Sequence, residues 1–144
     1  MKNLNEKVNI EAEKESIRSI LDQYANAWKS LDIDKFSKIF SHDEDLVIFD
    51  THNKFDGWEA WKERLNNSFD LINDVKVTFR DYSIIVHPSG KMAWLSTLQD
   101  VTWITQDQPA ELKGMRVTWV LEKREVRWVI VQGHWSVSEN EESH

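Results

Sequence analysis

A chain of 144 residues and 17.1 kDa is long enough to bury one ordinary core and too short for two. Its 18 basic and 25 acidic residues give a net charge of −7, which argues against a nucleic-acid or anionic-membrane binder. The absence of cysteine excludes disulfides, thiolate catalysis and Cys-ligated metal sites, while 11% aromatic residues with eight Trp argue against disorder.

The opening stretch Met1 to Glu15 is polar where a signal peptide needs an apolar run, and no membrane-length apolar segment follows. The expectation is a cytoplasmic protein with one domain over residues 11–138, flanked by a frayed N-terminus (1–10) and a polar C-terminal tail (139–144). Ile17, Ile20, Leu21, Tyr24, Ala27, Trp28 and Leu31 recur at helical spacing and predict one amphipathic helix of about five turns. Asp32 fits as the N-cap of a short second helix carrying Phe36, Ile39 and Phe40. Leu46 to Phe49 reads as a short strand, and Asp56-Gly57 opens a third helix with Trp58, Trp61, Leu65 and Phe69 on one side.

After Asn73 the period changes to two, and four long strands are predicted: Val75–Val86, Lys91–Ile104, Lys113–Glu122 and Val126–Val137. His87-Pro88-Ser89-Gly90, Gln106 to Pro109 and Lys123 to Glu125 supply the turns of an antiparallel meander. The fold class is α+β, with helices gathered on one face of a curved sheet. Met115, Val117, Trp119 and Leu121 alternate with Gly114, Arg116, Thr118 and Val120, and the last strand is apolar on both sides. Three helices cover one face, so the other is expected to be covered by a second copy, giving a homodimer through the outer sheet face.

The order of these elements resembles the cone-shaped fold shared by ketosteroid isomerase, SnoaL-type polyketide cyclases and nuclear transport factor two. Asp22 to Phe36 resembles that superfamily's opening helix and helical turn, and Phe55-Asp56-Gly57-Trp58-Glu59-Ala60-Trp61 its third-helix start. Arg116-Val117-Thr118-Trp119, Arg127 to Val131 and His134-Trp135-Ser136 are similar to the SnoaL-like subgroup that includes the association domain of calcium/calmodulin-dependent kinase II. The resemblance spans residues 14 to 138 and implies four long strands plus a short one, with three helices packed on the concave face around a pocket. It does not imply one function, because the superfamily holds isomerases, cyclases, dehydratases and assembly domains.

Tyr24 matches the oxyanion-hole tyrosine of the isomerases; on its own helix it is equally a core aromatic. Asp50 falls near their general-base aspartate, across a one-residue insertion after Phe40 that would flip its face; otherwise it is a turn residue. Their protonated aspartate has no counterpart at Met115-Arg116-Val117-Thr118, which counts against steroid isomerisation. Arg116 matches a pocket arginine of the association domain. It would grip a carboxylate or pair with Asp50 or Asp100, unless it is an exposed strand residue near the sheet's rim. Trp94 matches a pocket aromatic, whereas Ser96 replaces that domain's second arginine. His134 is either an acid–base group or a structurally hydrogen-bonded histidine. The cluster His42, Asp43, Glu44, Asp45, Asp50 and His52 lacks calcium-loop and zinc-helix spacing and reads as a solvated acidic loop, with no metal expected.

The resemblance, taken with these residues, implies a small-molecule pocket protein. Its ligand would be a small carbonyl or carboxylate compound ringed by Tyr24, Trp58, Trp94, Arg116 and Thr118. Any catalysis would be proton transfer without a cofactor, with Asp50 or His134 as base and Tyr24 and Arg116 stabilising an oxyanion. The alternative is a non-enzymatic ligand-binding or assembly module, marked by a cavity filled with Trp side chains.

Overall fold

The computed structural model describes residues 8–138; of the frayed N-terminus expected over residues 1–10, residues 1–7 lie outside the described residues, as does the tail from 139 to 144, while Ile10 already belongs to the first helix. Asn9 starts α1 (Ile10–Ser30), its side chain accepting from the Ala12 amide at 3.1 Å, with Glu11 and Glu13 complementing the first turn. The helix therefore begins seven residues before Ile17, where the apolar stripe sets in. Asp32 caps α2 (Ile33–Ser37) as expected, accepting from the Asp34 amide at 2.9 Å.

Next come β1 (Val47–Phe49), β2 (Lys54–Asp56), α3 (Trp58–Phe69), β3 (Asn73–Val86), β4 (Met92–Thr105), β5 (Gln108–Arg124) and β6 (Arg127–Ser136). The result is a curved, unclosed six-stranded sheet in the order β2-β1-β6-β5-β4-β3, with three helices. The sheet differs from expectation in three ways. β2 is an additional edge strand, paired antiparallel with β1. Because β2 takes the outer side of β1, the inner side receives β6, and β1 runs parallel to it. β5 also starts five residues early, at Gln108. Gln106 and Asp107 have φ of 52° and 61°, the left-handed pair of a two-residue hairpin turn. The strand passes through a bulge, where the register shifts between Gln99 and Val101 of β4. Gly114 supplies the φ of 71° the bulge needs, and its amide donates to the Asp100 carboxylate at 2.8 Å.

The core lies between α1, α2, α3 and one sheet face. Leu95, Met115, Val117, Trp119, Leu121 and Trp135 are buried there. Tyr24 is the centre of its aromatic part, with ring centroids 5.4 Å from Trp119, 5.8 Å from Phe36 and 5.9 Å from both Phe79 and Trp135. The other sheet face carries Trp94, Ser96, Arg116, Thr118 and His134, all exposed. No helix among the described residues is long and apolar enough to cross a membrane.

Glu13 ties α1 to the far hairpin. Its carboxylate accepts from Trp128 Nε1 at 2.9 Å and from Lys123 Nζ. Burial would raise this carboxyl, but those hydrogen bonds and the Lys123 charge outweigh it and hold Glu13 below the usual carboxylate range. A depressed folded-state pKa stabilises the fold above the unfolded carboxyl's value, and that stability is lost as pH falls through the folded value. Glu13→Ala is expected to destabilise the protein by about 2 kcal/mol at pH 7. Urea unfolding of wild type and variant should show this difference shrinking below about pH 4.

Candidate functional site

A cavity of about 480 Å³ opens between α1, α3 and the covered sheet face. Its walls are mainly apolar: Trp28, Trp61, Val77, Trp103, Met115 and Trp135. Polar side chains also line it, Thr51, Asn67, Ser68 and Thr105 among them. Tyr24 and Gln99 lie deep, at 3% and 4% exposure, whereas Asp50, His52 and Arg64 belong to the more open end.

Asp50 follows β1 in a tight Asx turn, where Oδ1 accepts from the His52 amide at 2.9 Å and from the Asn53 amide at 2.7 Å. Its Oδ2 accepts from Arg64 Nε at 3.1 Å. Burial pushes the Asp50 carboxyl up, but the Asn53 and His52 amides and Arg64 together bring it below its ordinary value. Asp50 is therefore an ionised carboxylate with donors on both oxygens, and it fixes the plane of the Arg64 guanidinium. Both Nη groups of Arg64 have no partner among the described residues.

At the deep end, Trp135 Nε1 donates to Gln99 Oε1 at 3.0 Å. The indole of Trp135 lies over Gly133, where an added Cβ would come within 2.8 Å of the ring, so only glycine lets it lie there. Burial pushes the Tyr24 phenol well above its ordinary pKa, partly offset by a hydrogen bond from Trp28, so it is a neutral donor throughout the physiological range. Chemically, the arrangement offers hydrogen-bond donors to an oxygen-bearing ligand beside apolar walls and keeps its one carboxylate saturated.

Of the residues expected to ring the pocket, the structure brings Tyr24 and Asp50 to the cavity and takes the others elsewhere. Arg116 and Thr118 share the exposed face, because Met115, Val117 and Trp119 occupy the covered one and strand parity leaves no other place. Arg116 meets the carbonyl of Val137, at 3.5 Å. Its expected partners are occupied: Asp50 by Arg64, and Asp100 by a bidentate contact with Arg80 at 2.9 and 3.2 Å. Trp94 is exposed two residues from Ser96 on the same face, and His134 packs on Phe49 there, with ring centroids 5.4 Å apart. Trp58 is buried but stacks between His42 and Phe40; the cavity takes Trp61, one helical turn on. In the acidic loop, Asp43 pairs with Arg124 at 2.8 Å, and no three His, Asp or Glu converge as metal ligands among the described residues.

Sequence reasoning missed Arg64, His52, Gln99 and Trp135 as cavity residues. Arg64 stands three residues after Trp61, so helical periodicity puts both on one side of α3. Gln99 shares the parity of Ala93, Leu95 and Thr97, and is a polar residue at an inward strand position.

The model of the SnoaL-like domain matches residues 17–139. The chain belongs to this family. No curated protein matches the SnoaL-like chain closely enough to lend it a function. Among solved structures, it is similar to a nuclear transport factor two-like superfamily protein from Salmonella enterica, with TM-score 0.81 and 17% identity over 88% of this chain and 92% of the other. It is similar also to the association domain of the C. elegans calcium/calmodulin-dependent kinase II (TM-score 0.70, 18% identity, 88% and 97% covered). A candidate scytalone dehydratase from Novosphingobium aromaticivorans is a third (TM-score 0.78, 13% identity, 88% and 85% covered). At these identities the likeness is one of fold.

Arg64→Ala removes one of the three donors that hold Asp50 ionised and the nearby positive charge. The Asp50 carboxyl pKa should then rise toward the ordinary aspartate value, followed by carboxyl-carbon NMR titration. An unchanged titration curve would mean that the two backbone amides alone set it.

Proposed function

We propose that this SnoaL-like chain binds a small, flat, largely aromatic carboxylic acid, with its rings against Trp61 and Trp135 and its carboxylate at the Nη groups of Arg64. The observation that carries the reading is the Asp50–Arg64 pair at the open end of a cavity whose walls are mainly apolar, with Trp61 and Trp135 among them. Asp50 orients the guanidinium through Nε and leaves the outer fork free, the geometry that grips a carboxylate with two hydrogen bonds. The volume of about 480 Å³ suits a drug-sized ligand, and it argues against a cavity filled by its own Trp side chains.

In this reading Asp50 anchors Arg64 instead of acting as a base, since a carboxylate saturated by three donors accepts a proton poorly. Tyr24 contributes a buried, neutral hydroxyl. Naphthoic acids should raise the melting temperature of the wild-type protein. Arg64→Ala should weaken their binding tenfold or more, as expected for loss of a charge-assisted hydrogen bond of about 1.5–3 kcal/mol, and Arg116→Ala should leave it unchanged. Equal losses in both variants, or none in either, would refute the assignment of Arg64.

We infer also that two copies pair through the exposed sheet face. Ile85, Met92 and Trp94 are 46%, 41% and 44% exposed there, beside Leu98, Val120 and uncharged Ser96 and Thr118. A second copy would offer the same largely apolar surface, with Arg116 beside it, and the likeness to an association domain supports pairing as its use. Sedimentation should give a dimer for the wild type and a folded monomer for Trp94→Glu; a wild-type monomer at high concentration would refute it.

A further inference from the structure

The deep end of the cavity holds donors that no oxygen or nitrogen among the described residues accepts from. Gln99 has one side-chain oxygen and two N–H bonds. An indole nitrogen only donates, so the bond from Trp135 Nε1 requires the Gln99 oxygen at that contact and turns its amide nitrogen the other way. There the nitrogen meets only the Met115 sulfur, at 3.9 Å, and Met115 is itself a cavity residue. A thioether is a weak acceptor and can take one of the two N–H bonds at most. No oxygen or nitrogen among the described residues accepts from the Gln99 amide nitrogen.

A second buried donor stands beside it. Trp61 stacks on Trp135 with ring centroids 5.9 Å apart, lines the same cavity, and its Nε1 has no partner. Trp119 Nε1 is unpaired too, but Trp119 does not line the cavity; Gln99 and Trp61 both do, and buried donors are rarely left without an acceptor, so the pair points to one supplied from the cavity.

We propose that the ligand carries a carbonyl oxygen, ketone or quinone, which accepts from Gln99 Nε2 at the deep end while its acid group meets Arg64 at the open end. This rests on the aromatic-acid reading above and narrows the class to aromatic keto acids. Trp135 is then a positioning residue: it never donates to the ligand but holds the amide so that nitrogen, not oxygen, faces the cavity. A hydroxyl at that place could also accept from Gln99 Nε2, but its own O–H would then need an acceptor, so the carbonyl is the better fit.

The test uses matched probes: the isomeric fluorenone carboxylic acids against the corresponding fluorene carboxylic acids, which differ only in a carbonyl for a methylene, and neutral fluorenone. Affinities are measured by calorimetry. The wild type should bind at least one fluorenone acid about tenfold more tightly than its fluorene partner, the effect of a single buried hydrogen bond. In Gln99→Met the two should bind equally. Because that variant orphans the Trp135 indole, a Gln99→Met/Trp135→Phe double variant removes both partners, and it too should lose the preference. Circular dichroism confirms that each variant is folded.

Acids that bind through Arg64 with no preference for the ketone in the wild type would overturn this inference and leave the aromatic-acid reading standing. So would a preference that survives in both Gln99 variants. Neutral fluorenone binding in a Gln99-dependent way while every acid fails would do the reverse, keeping the donor site and overturning the acid reading. Failure of all the probes would overturn both.

Discussion

Everything about the site follows from the parity of β5. With Trp119 fully buried and Met115, Val117 and Leu121 beside it, the intervening Arg116 and Thr118 have only the exposed face available. A one-residue slip would bury a guanidinium under the helices and expose an indole, at a cost of several kcal/mol that no contact nearby would offset. The bulge at Gly114 sets this phase. It inserts its extra residue just before Met115, and the Asp100 carboxylate locks it in place. Once the phase is set, β5 gives the cavity no cation; Arg64 of α3 lines it instead.

The cavity is built on pairs in which one residue orients another. Asp50, capped by two backbone amides, aims Arg64; Trp135, lying over Gly133, aims Gln99. In each pair the group left facing the cavity is a donor. On the proposed reading the site is complementary to oxygen acceptors at both ends with mainly apolar walls between, and side chains locked by their neighbours lose little entropy when a ligand arrives. Glu13 works similarly for the fold at large, joining α1 to Lys123 and Trp128 more than a hundred residues away in sequence.

Much of this architecture was legible in the sequence because periodicity reports burial directly. The stripe Ile17, Ile20, Leu21, Tyr24 gave the first helix, Asp32 the second helix's cap, and the alternation after Asn73 the meander. The parity of Arg116 against Met115 and Val117 was legible too. What periodicity does not state is which of two largely apolar faces the helices cover, so Arg116 stayed open between a pocket group and an exposed strand residue; the structure has it on the exposed face. β2 was hidden because Lys54-Phe55-Asp56 is too short to alternate, and its pairing with β1 is a tertiary choice. Arg64 and Gln99 were hidden for another reason: a lone Arg on a helix and a lone Gln on a strand are ordinary until their partners, Asp50 and Trp135, are seen across the fold.

The central claim is that the cavity, and not the outer sheet face, receives an aromatic acid through Arg64. A crystal grown with a brominated naphthoic acid tests it most directly, since anomalous scattering locates the ring without bias. The account predicts a bromine peak inside the cavity against Trp61 and Trp135, with carboxylate density at the Arg64 Nη atoms. A peak on the outer face beside Arg116 and Trp94, with the cavity empty at saturating ligand, would contradict it.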